Sequence, residues 1–281
     1  MWVTDTVDET RKRRGALTGR VALVPTMGAL HAGHLALVHR ARELAEHVLV
    51  SIFVNPTQFG RGEDLERYPR TLEADLSACR DAGVAGVLAP PVDAIYAPDV
   101  PEVLVDVPEL TAILEGAHRP GHFQGVCRVV AKLLSIFTPD VAVFGRKDYQ
   151  QLKVVEAMVA DLMMPVRIEA VQTVREPDGL ALSSRNRYLD EERRRHALGL
   201  SKALEQARML VEEAGESDPG DVETAMRQVL EAHHLDVDYA VVRHHQSLAA
   251  LDCIETPVVA LVAAWAGNVR LIDNRLLSPA A

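Results

Sequence analysis

The stretch from Val21 to Ala41, VALVPTMGALHAGHLALVHRA, constrains this chain more than any other. Val21 to Val24 is a short apolar run of the kind that makes a buried parallel strand. Pro25 and Gly28 interrupt it. Leu35, Leu37, Val38 and Ala41 then supply one apolar face of a helix. A strand that turns into a helix points backbone N–H groups, and the positive end of the helix dipole, at the loop between them, which favours an anion. His31 and His34 stand in that loop on either side of Gly33. Imidazoles add donors whose charge changes near neutral pH. Gly33 lacks a Cβ, so a ligand can approach the backbone closely. The plainer alternative is two polar residues capping a helix.

Composition narrows the ligand. The chain has 281 residues, 48% of them hydrophobic, enough for one large domain or two smaller ones. A net charge of −10 argues against a general nucleic-acid surface. A small anion must therefore be held by local positive groups. Cys79, Cys127 and Cys253 are scattered without CxxC spacing, which argues against a zinc site or a disulfide framework and suits a reducing cytoplasm. The N-terminal MWVTDTVDETRKRRG has no apolar segment, so no secretory signal is expected, and no apolar run approaches the ~20 residues of a membrane helix.

Further along, Thr4 to Leu17 reads as a charged outer helix. His47 to Val54 reads as a second buried strand ending in Asn55-Pro56-Thr57-Gln58-Phe59-Gly60. In an open parallel sheet, ligands sit beyond the carboxyl ends of the strands, which puts Asn55 and Gln58 in the expected crevice. An amide both donates and accepts, suiting a substrate with hydroxyls and a carboxylate. Asn-Pro is also a common turn former, so Asn55 is equally explained as that. A polar loop from Arg61 to Arg70 leads to a helix starting at Thr71. Its Asp75 is a candidate outer partner for a metal, or merely an acidic residue favouring the helix dipole. A strand at Gly86–Ala89, a Pro-rich connection and a Gly- and His-bearing loop through Arg119 and His122 follow.

Asp140 to Gly145 repeats the buried-strand pattern, and Arg146, Lys147, Asp148, Tyr149, Gln150 and Gln151 open the next helix. A Lys there puts a compact charge where a phosphate would sit. One more strand spans Val166 to Thr173. Alternating strands and helices indicate a parallel α/β sheet. Arg175 to Gly179 is a turn. Ser183, Ser184 and Arg185 then form either a second phosphate clamp or a solvated, helix-capping loop. The remainder changes character, with helices over 190–215 and 221–234 and strands near 237–242, 257–265 and 268–272. A domain boundary is placed near Val174. His233-His234 and His244-His245 do not suit a metal, because neighbouring side chains in a strand point to opposite faces.

Taken together, PTMGALHAGH, SIFVNPTQFG, YPRT, LEGAHRPGHFQGV, FGRKDYQQL, TVREPDGLALSSRNRYL and the later RLIDN resemble the pantoate–β-alanine ligase (pantothenate synthetase) family, within the HxGH nucleotidyltransferase superfamily. The resemblance implies a Rossmann-like parallel-sheet domain over 1–173, a smaller α+β lid domain over 174–281, a cytoplasmic homodimer and a role in the route to coenzyme A. It implies that pantoate and ATP give pantoyl adenylate and pyrophosphate, and that β-alanine then gives pantothenate and AMP. It assigns Met27, Gly28, Ala29, Leu30, His31, Ala32, Gly33, His34, Gly145, Arg146, Lys147, Asp148, Val174, Leu182, Ser183, Ser184 and Arg185 to ATP. It makes His34 the general-acid candidate, with His31 and Lys147 beside it in catalysis. Gln58 and Gln151 fall to pantoate, and Gln58 also to β-alanine. Mg²⁺ is expected on the phosphates, held by few protein carboxylates.

Three positions depart from the pattern: Arg146 where the family has Glu, Leu182 for Met, and Thr57 for a larger apolar residue. None removes a group that the chemistry needs. Two other readings share the first loop. An adenylyltransferase would leave AMP on its product, and a nucleotide-binding module would not turn over. Paired glutamines for a small hydroxy acid disfavour the first, and His34, Lys147 and Arg185 disfavour the second.

Overall fold

A computed structural model describes residues 1–60 and 62–279; Arg61, the first residue of the expected polar loop, lies outside the described residues. The chain divides into two compact units. One is Met1–Gly145 with Gln150–Gln172, and the other is Arg146–Tyr149 with the residues from Thr173 onward.

The first unit is built on six parallel strands: β1 (Trp2–Thr4), β2 (Val21–Thr26), β3 (His47–Ile52), β4 (Gly86–Leu88), β5 (Val141–Gly145) and β6 (Arg167–Val171). Their spatial order is β1-β4-β3-β2-β5-β6, so the chain moves outward from β2 to one side and then crosses to the other. The sheet reverses its order between β2 and β5, which leaves a crevice at their carboxyl ends, the usual ligand site of such sheets. The expected first helix is shorter, α1 (Val7–Gly15). The residues before it form the edge strand β1, which a three-residue segment at the terminus does not announce.

The longer helices are α2 (Ala32–Leu44), α3 (Leu72–Asp81), α7 (His122–Phe137) and α8 (Tyr149–Asp161). Between them lie three single turns, α4 (Val92–Ile95), α5 (Pro108–Thr111) and α6 (Glu115–His118). Ala22, Val24, Val48 and Val50 bury one face of the sheet against Leu37, Val38 and Ala41 of α2 and Leu76 and Cys79 of α3. Leu23 and Leu49, alternate in the strands, are buried on the opposite face. Burying one Leu or Val side chain contributes roughly 1.5–3 kcal/mol, so these central strands anchor whatever their carboxyl ends carry.

The second unit packs α9 (Glu191–Arg208) and α10 (Pro219–Ala232) on an antiparallel sheet of β7 (Asp236–His244), β8 (Val258–Ala266) and β9 (Val269–Leu277). Leu200, Leu204, Met226 and Leu230 meet Val242, Val258, Ala260 and Val262 in its core. The small residues of β8 let α9 lie close to the sheet, while α10 packs on β7. Among the described residues, no helix is long and apolar enough to cross a membrane.

Candidate active site

The loop after β2 is held from below by a carboxylate. Gly28 has φ +81° and Ala29 φ +51°, so both lie in the left-handed region. A Cβ on Gly28 would stand 3.0 Å from Asp75 Oδ2 and 3.1 Å from Ile52 Cγ2. Only glycine fits there without a shift. Ala29 N donates to Asp75 Oδ2 at 3.0 Å, and Leu30 N to Asp75 Oδ1 at 2.8 Å. Thr71 Oγ1 lies 3.3 Å from both oxygens. Asp75 is 2% exposed. The residue expected as an outer metal partner is therefore a strap on the loop backbone, because both of its oxygens face N–H groups. A cavity of about 290 Å³ opens beside the strap, lined by Met27, Gly28, Phe53, Thr71 and Asp75 among others.

His31 is the N-cap of α2, and the two imidazoles form a reciprocal cap. Gly33 N donates to His31 Nδ1 at 3.1 Å, and His31 N donates to His34 Nδ1 at 3.3 Å. The ring centroids are 4.1 Å apart. A nitrogen that accepts from a backbone N–H carries no proton, so each neutral ring is protonated at Nε2. Capping uses the Nδ1 of each ring and does not by itself exclude a ligand. The cap fixes the tautomer that makes Nε2 a donor, at a helix N-terminus that already favours anions.

Asn55 and Gln58 sit at the end of β3, around the short 3₁₀ turn Pro56–Gln58. Asn55 is 1% exposed and its amide is fully used within the protein. Its Oδ1 accepts from Thr57 N, Thr57 Oγ1 and Tyr96 OH. Its Nδ2 donates to Gln58 Oε1 at 2.9 Å and to Gly125 O at 3.1 Å. Asn55, expected at the substrate, instead orients the Gln58 amide. Among the described residues, Gln58 Nε2 meets no protein acceptor, and both of its hydrogens remain for a ligand. Gly125 makes this approach possible, since a Cβ there would overlap the carbonyl of Thr57.

The backbone of Gln58 is held as firmly. Its carbonyl accepts from His122 Nδ1 at 2.8 Å and from Arg119 at 3.4 Å. Burial, reinforced by the Arg119 charge, lowers the His122 pKa to about 4, so this ring is neutral. With Nδ1 donating, Nε2 accepts from Arg119 at 3.1 Å. Arg119 also forms a two-point pair with Glu63 at 2.8 and 2.6 Å. Burial pushes the Glu63 carboxyl up, but Arg119 outweighs it and holds the carboxyl below its ordinary value.

The neighbouring glutamines of α8 divide their work. Gln150 is buried; its Nε2 donates to Leu110 O and Ile113 O, and its Oε1 accepts from Glu115 N. It clamps the loop in which Leu114 takes φ +48°. Gln151 is half-buried and, among the described residues, meets no protein partner. The amide expected at the substrate is the one left available.

Other expected residues belong to the second unit. Lys147 lies on the 3₁₀ turn Arg146–Asp148, with Nζ 3.3 Å from Asp148 Oδ1. Asn274 Nδ2 donates to the carbonyls of Arg146 and Lys147 at 2.9 and 2.8 Å. Val174 and Leu182 are joined by a backbone bond of 2.9 Å, closing a hairpin that turns at Gly179. Ser183 Oγ accepts from Arg185 N at 3.2 Å and caps the turn Ser184–Tyr188. The contribution of Asn274 and its neighbour Asp273 was not readable beforehand beyond the RLIDN string that contains them. Among the described residues, no cluster of three or more His, Cys, Asp or Glu could hold a metal ion.

Within the first unit, the helix start after β2 and the presented amide at the end of β3 suit a nucleotide and a small polar acid; the second unit carries its own lysine turn. Comparison with known proteins decides between the readings that share this geometry. The family model described as pantoate-beta-alanine ligase matches residues 2–276. This chain belongs to the pantoate-beta-alanine ligase family. Pantothenate synthetase of Nocardioides sp. is 51% identical over 263 residues, 91% of this chain and 78% of that one. Pantothenate synthetase of Salinispora arenicola is 52% identical over 263 residues, covering 93% and 92%. The pantothenate synthetase structure from Thermus thermophilus superposes with TM-score 0.92 at 46% identity, covering 98% and 99%. The pantoate-beta-alanine ligase from Francisella tularensis, solved with beta-gamma ATP and beta-alanine, gives 0.81 at 33%, covering 98% and 97%. The chain is thus an enzyme of this ligase family, and its work lies in pantothenate biosynthesis.

Proposed function

We propose that the chain joins pantoate to β-alanine with ATP in two half-reactions. A pantoate carboxylate oxygen attacks the α-phosphorus, the bond to the β-phosphate bridge breaks, and pyrophosphate leaves with its electron pair. The β-alanine amine then attacks the acyl carbon of pantoyl adenylate. The acyl C–O bond breaks, the amine gives up a proton, and pantothenate and AMP result. The observation that carries this reading is the Francisella relative, which covers nearly the whole chain and was solved with beta-gamma ATP and beta-alanine.

The first half-reaction brings a carboxylate to a polyphosphate, so charge must be neutralised and the two groups held in line. His31 and His34 donate from Nε2 to the phosphates, and His34 is the general-acid candidate toward the leaving group. Lys147, Ser183, Ser184 and Arg185 add charge and hydroxyls. Gln58, through its Nε2, and Gln151 hold the pantoate hydroxyls and carboxylate with amide groups that meet no protein acceptor among the described residues. Gln58 then faces β-alanine. Mg²⁺ belongs to this reading only as an ion carried on the phosphates, where it would screen their charge. The described residues offer it no protein cage, and Asp75 faces N–H groups, so no step is routed through the metal. A cytoplasmic homodimer completes the proposal and is tested by sedimentation.

The experiment is pyrophosphate release from ATP and Mg²⁺ with pantoate present, with and without β-alanine, followed by product identification. AMP and pantothenate formed only with both substrates are expected. Pyrophosphate release insensitive to pantoate would overturn the assignment, and a stable adenylate ester as final product would favour the adenylyltransferase reading.

A further inference from the structure

The RLIDN string has no part in the chemistry above, yet it contains two buried polar residues that hold the second unit's nucleotide groups. We propose that Asp273 and Asn274 of β9 are the positioning pair of the enzyme, fixing the Lys147 turn with one side chain and, with the other, the Arg175–Ala181 hairpin that leads into Ser183-Ser184-Arg185. The proposal rests on the reading that those groups bind ATP.

Asn274 is 6% exposed. Its amide nitrogen has two hydrogens, and both are used, one on the carbonyl of Arg146 and one on that of Lys147. The two carbonyls are 128 and 127 residues away in sequence. Asp273 is also buried and receives Arg175 in a two-point pair, at 2.6 and 3.0 Å. Arg175 also donates to Gly179 O at 3.0 Å and stands opposite Ala181 in the hairpin. The Asp273 carboxylate closes back on its neighbour, accepting from Asn274 N at 2.8 Å.

Strand geometry explains how one dipeptide serves two segments. Consecutive side chains on a strand point to opposite faces. Asp273 and Asn274 pair with Val262 and Leu261 of β8, in the middle of the nine-residue ladder, where the backbone has least freedom. A lysine ammonium rides on a flexible four-carbon stem, so its reach is defined only if its backbone is fixed. A misplacement near 1 Å can reduce a rate by ~10²-fold.

The test is a double-mutant cycle on the full chain, read as pantoate-dependent pyrophosphate release and as binding of the α,β-methylene analogue of ATP. Asn274→Ala should lower turnover at least ~10-fold and analogue affinity several-fold, with the Michaelis constant for β-alanine unchanged. In a Lys147→Ala background the same change should alter analogue affinity less than about twofold, because the group it positions is gone. Equal losses in both backgrounds, or none in either, would overturn the proposal. A Lys147→Ala chain that binds and turns over normally would remove the reading of Lys147 as a nucleotide ligand, and the proposal with it. If Asn274→Ala does not fold, Arg175→Lys tests the other arm, since it keeps the charge on Asp273 and loses the fork. Several-fold weaker analogue binding supports the pair; unchanged binding overturns it.

Discussion

The loop after β2 and the turn that carries Lys147 are held by opposite means. The first is braced from a shorter distance along the chain. Asp75, 46 residues on from Ala29 and at the start of the helix leading to the next strand of the sheet, takes the N–H groups of Ala29 and Leu30. The histidines brace themselves through their own helix cap. The second is braced from 127 residues away, by an amide on the last strand. In one case the support grips N–H groups with a carboxylate; in the other it grips carbonyls with an amide. In the first region the N–H groups of Ala29 and Leu30 are spent on the anchor, so an anion would be met by the helix start beyond them. Where a cation is to be presented, the anchor is neutral and does not compete for it.

The largest expected effect tests whether the two regions are equal partners. Lys147→Ala should lower pantoate-dependent turnover at least ~10²-fold, the scale of losing one transition-state charge donor. A loss below threefold would remove Lys147 from its proposed role. Asp75→Ala is the matching test of the first region. It leaves the buried N–H of Ala29 and the part-buried N–H of Leu30 without acceptors, the first costing about 1–3 kcal/mol, and frees a loop already in the left-handed region. We expect a lowered denaturation midpoint together with a raised Michaelis constant for ATP. Asp75→Asn keeps an acceptor and should lose less of both. If Asp75→Asn instead abolished turnover and excess Mg²⁺ restored it, Asp75 would return to the role of metal partner.

The same contrast decides what could be read from the sequence. The central strands announced themselves as continuous apolar runs, and HAGH stood where a strand gives way to a helix, so the first region was legible as one contiguous string. Gln58 and Gln151 were marked as candidates only through the motifs that contain them. Whether an amide faces substrate or scaffold was not legible. Asn55 and Gln58 are three residues apart and chemically alike, and only the approach of Tyr96 and Gly125 makes one a support and the other a donor. Asp75 looked like any acid in a first helical turn, because the loop it straps is distant in sequence. Asp273 and Asn274 fell in an alternating strand pattern that gives no hint of what their side chains reach. Long-range hydrogen bonds leave no local period.

A smaller effect separates substrate positioning from nucleotide binding within the first unit. Asn55→Ala should raise the Michaelis constant for pantoate about 10-fold, as for a lost orienting hydrogen bond of roughly 1–1.5 kcal/mol, and leave that for ATP nearly unchanged. Equal changes in both constants would mean that Asn55 supports the whole sheet edge rather than Gln58.

The mildest test is the pH dependence that His122 imposes on the Gln58 support. Its pKa falls from 6.5 to about 4 on folding, through burial and then Arg119, against the opposing pull of Gln58 O, Glu63 and Glu115. The folded state therefore binds fewer protons than the unfolded chain between those values, so this stability is fully present above about pH 6.5 and is lost as pH falls toward 4. Protonation would also put a proton on Nε2, which now accepts from Arg119, and set two cations against each other. His122→Gln removes the titration while keeping an amide that can donate to the Gln58 carbonyl. Chemical denaturation from pH 7 to 4 should show a shallower loss of stability in His122→Gln than in the parent chain. Parallel curves would assign the acid sensitivity to other groups and leave His122 as a pH-silent prop beneath Gln58.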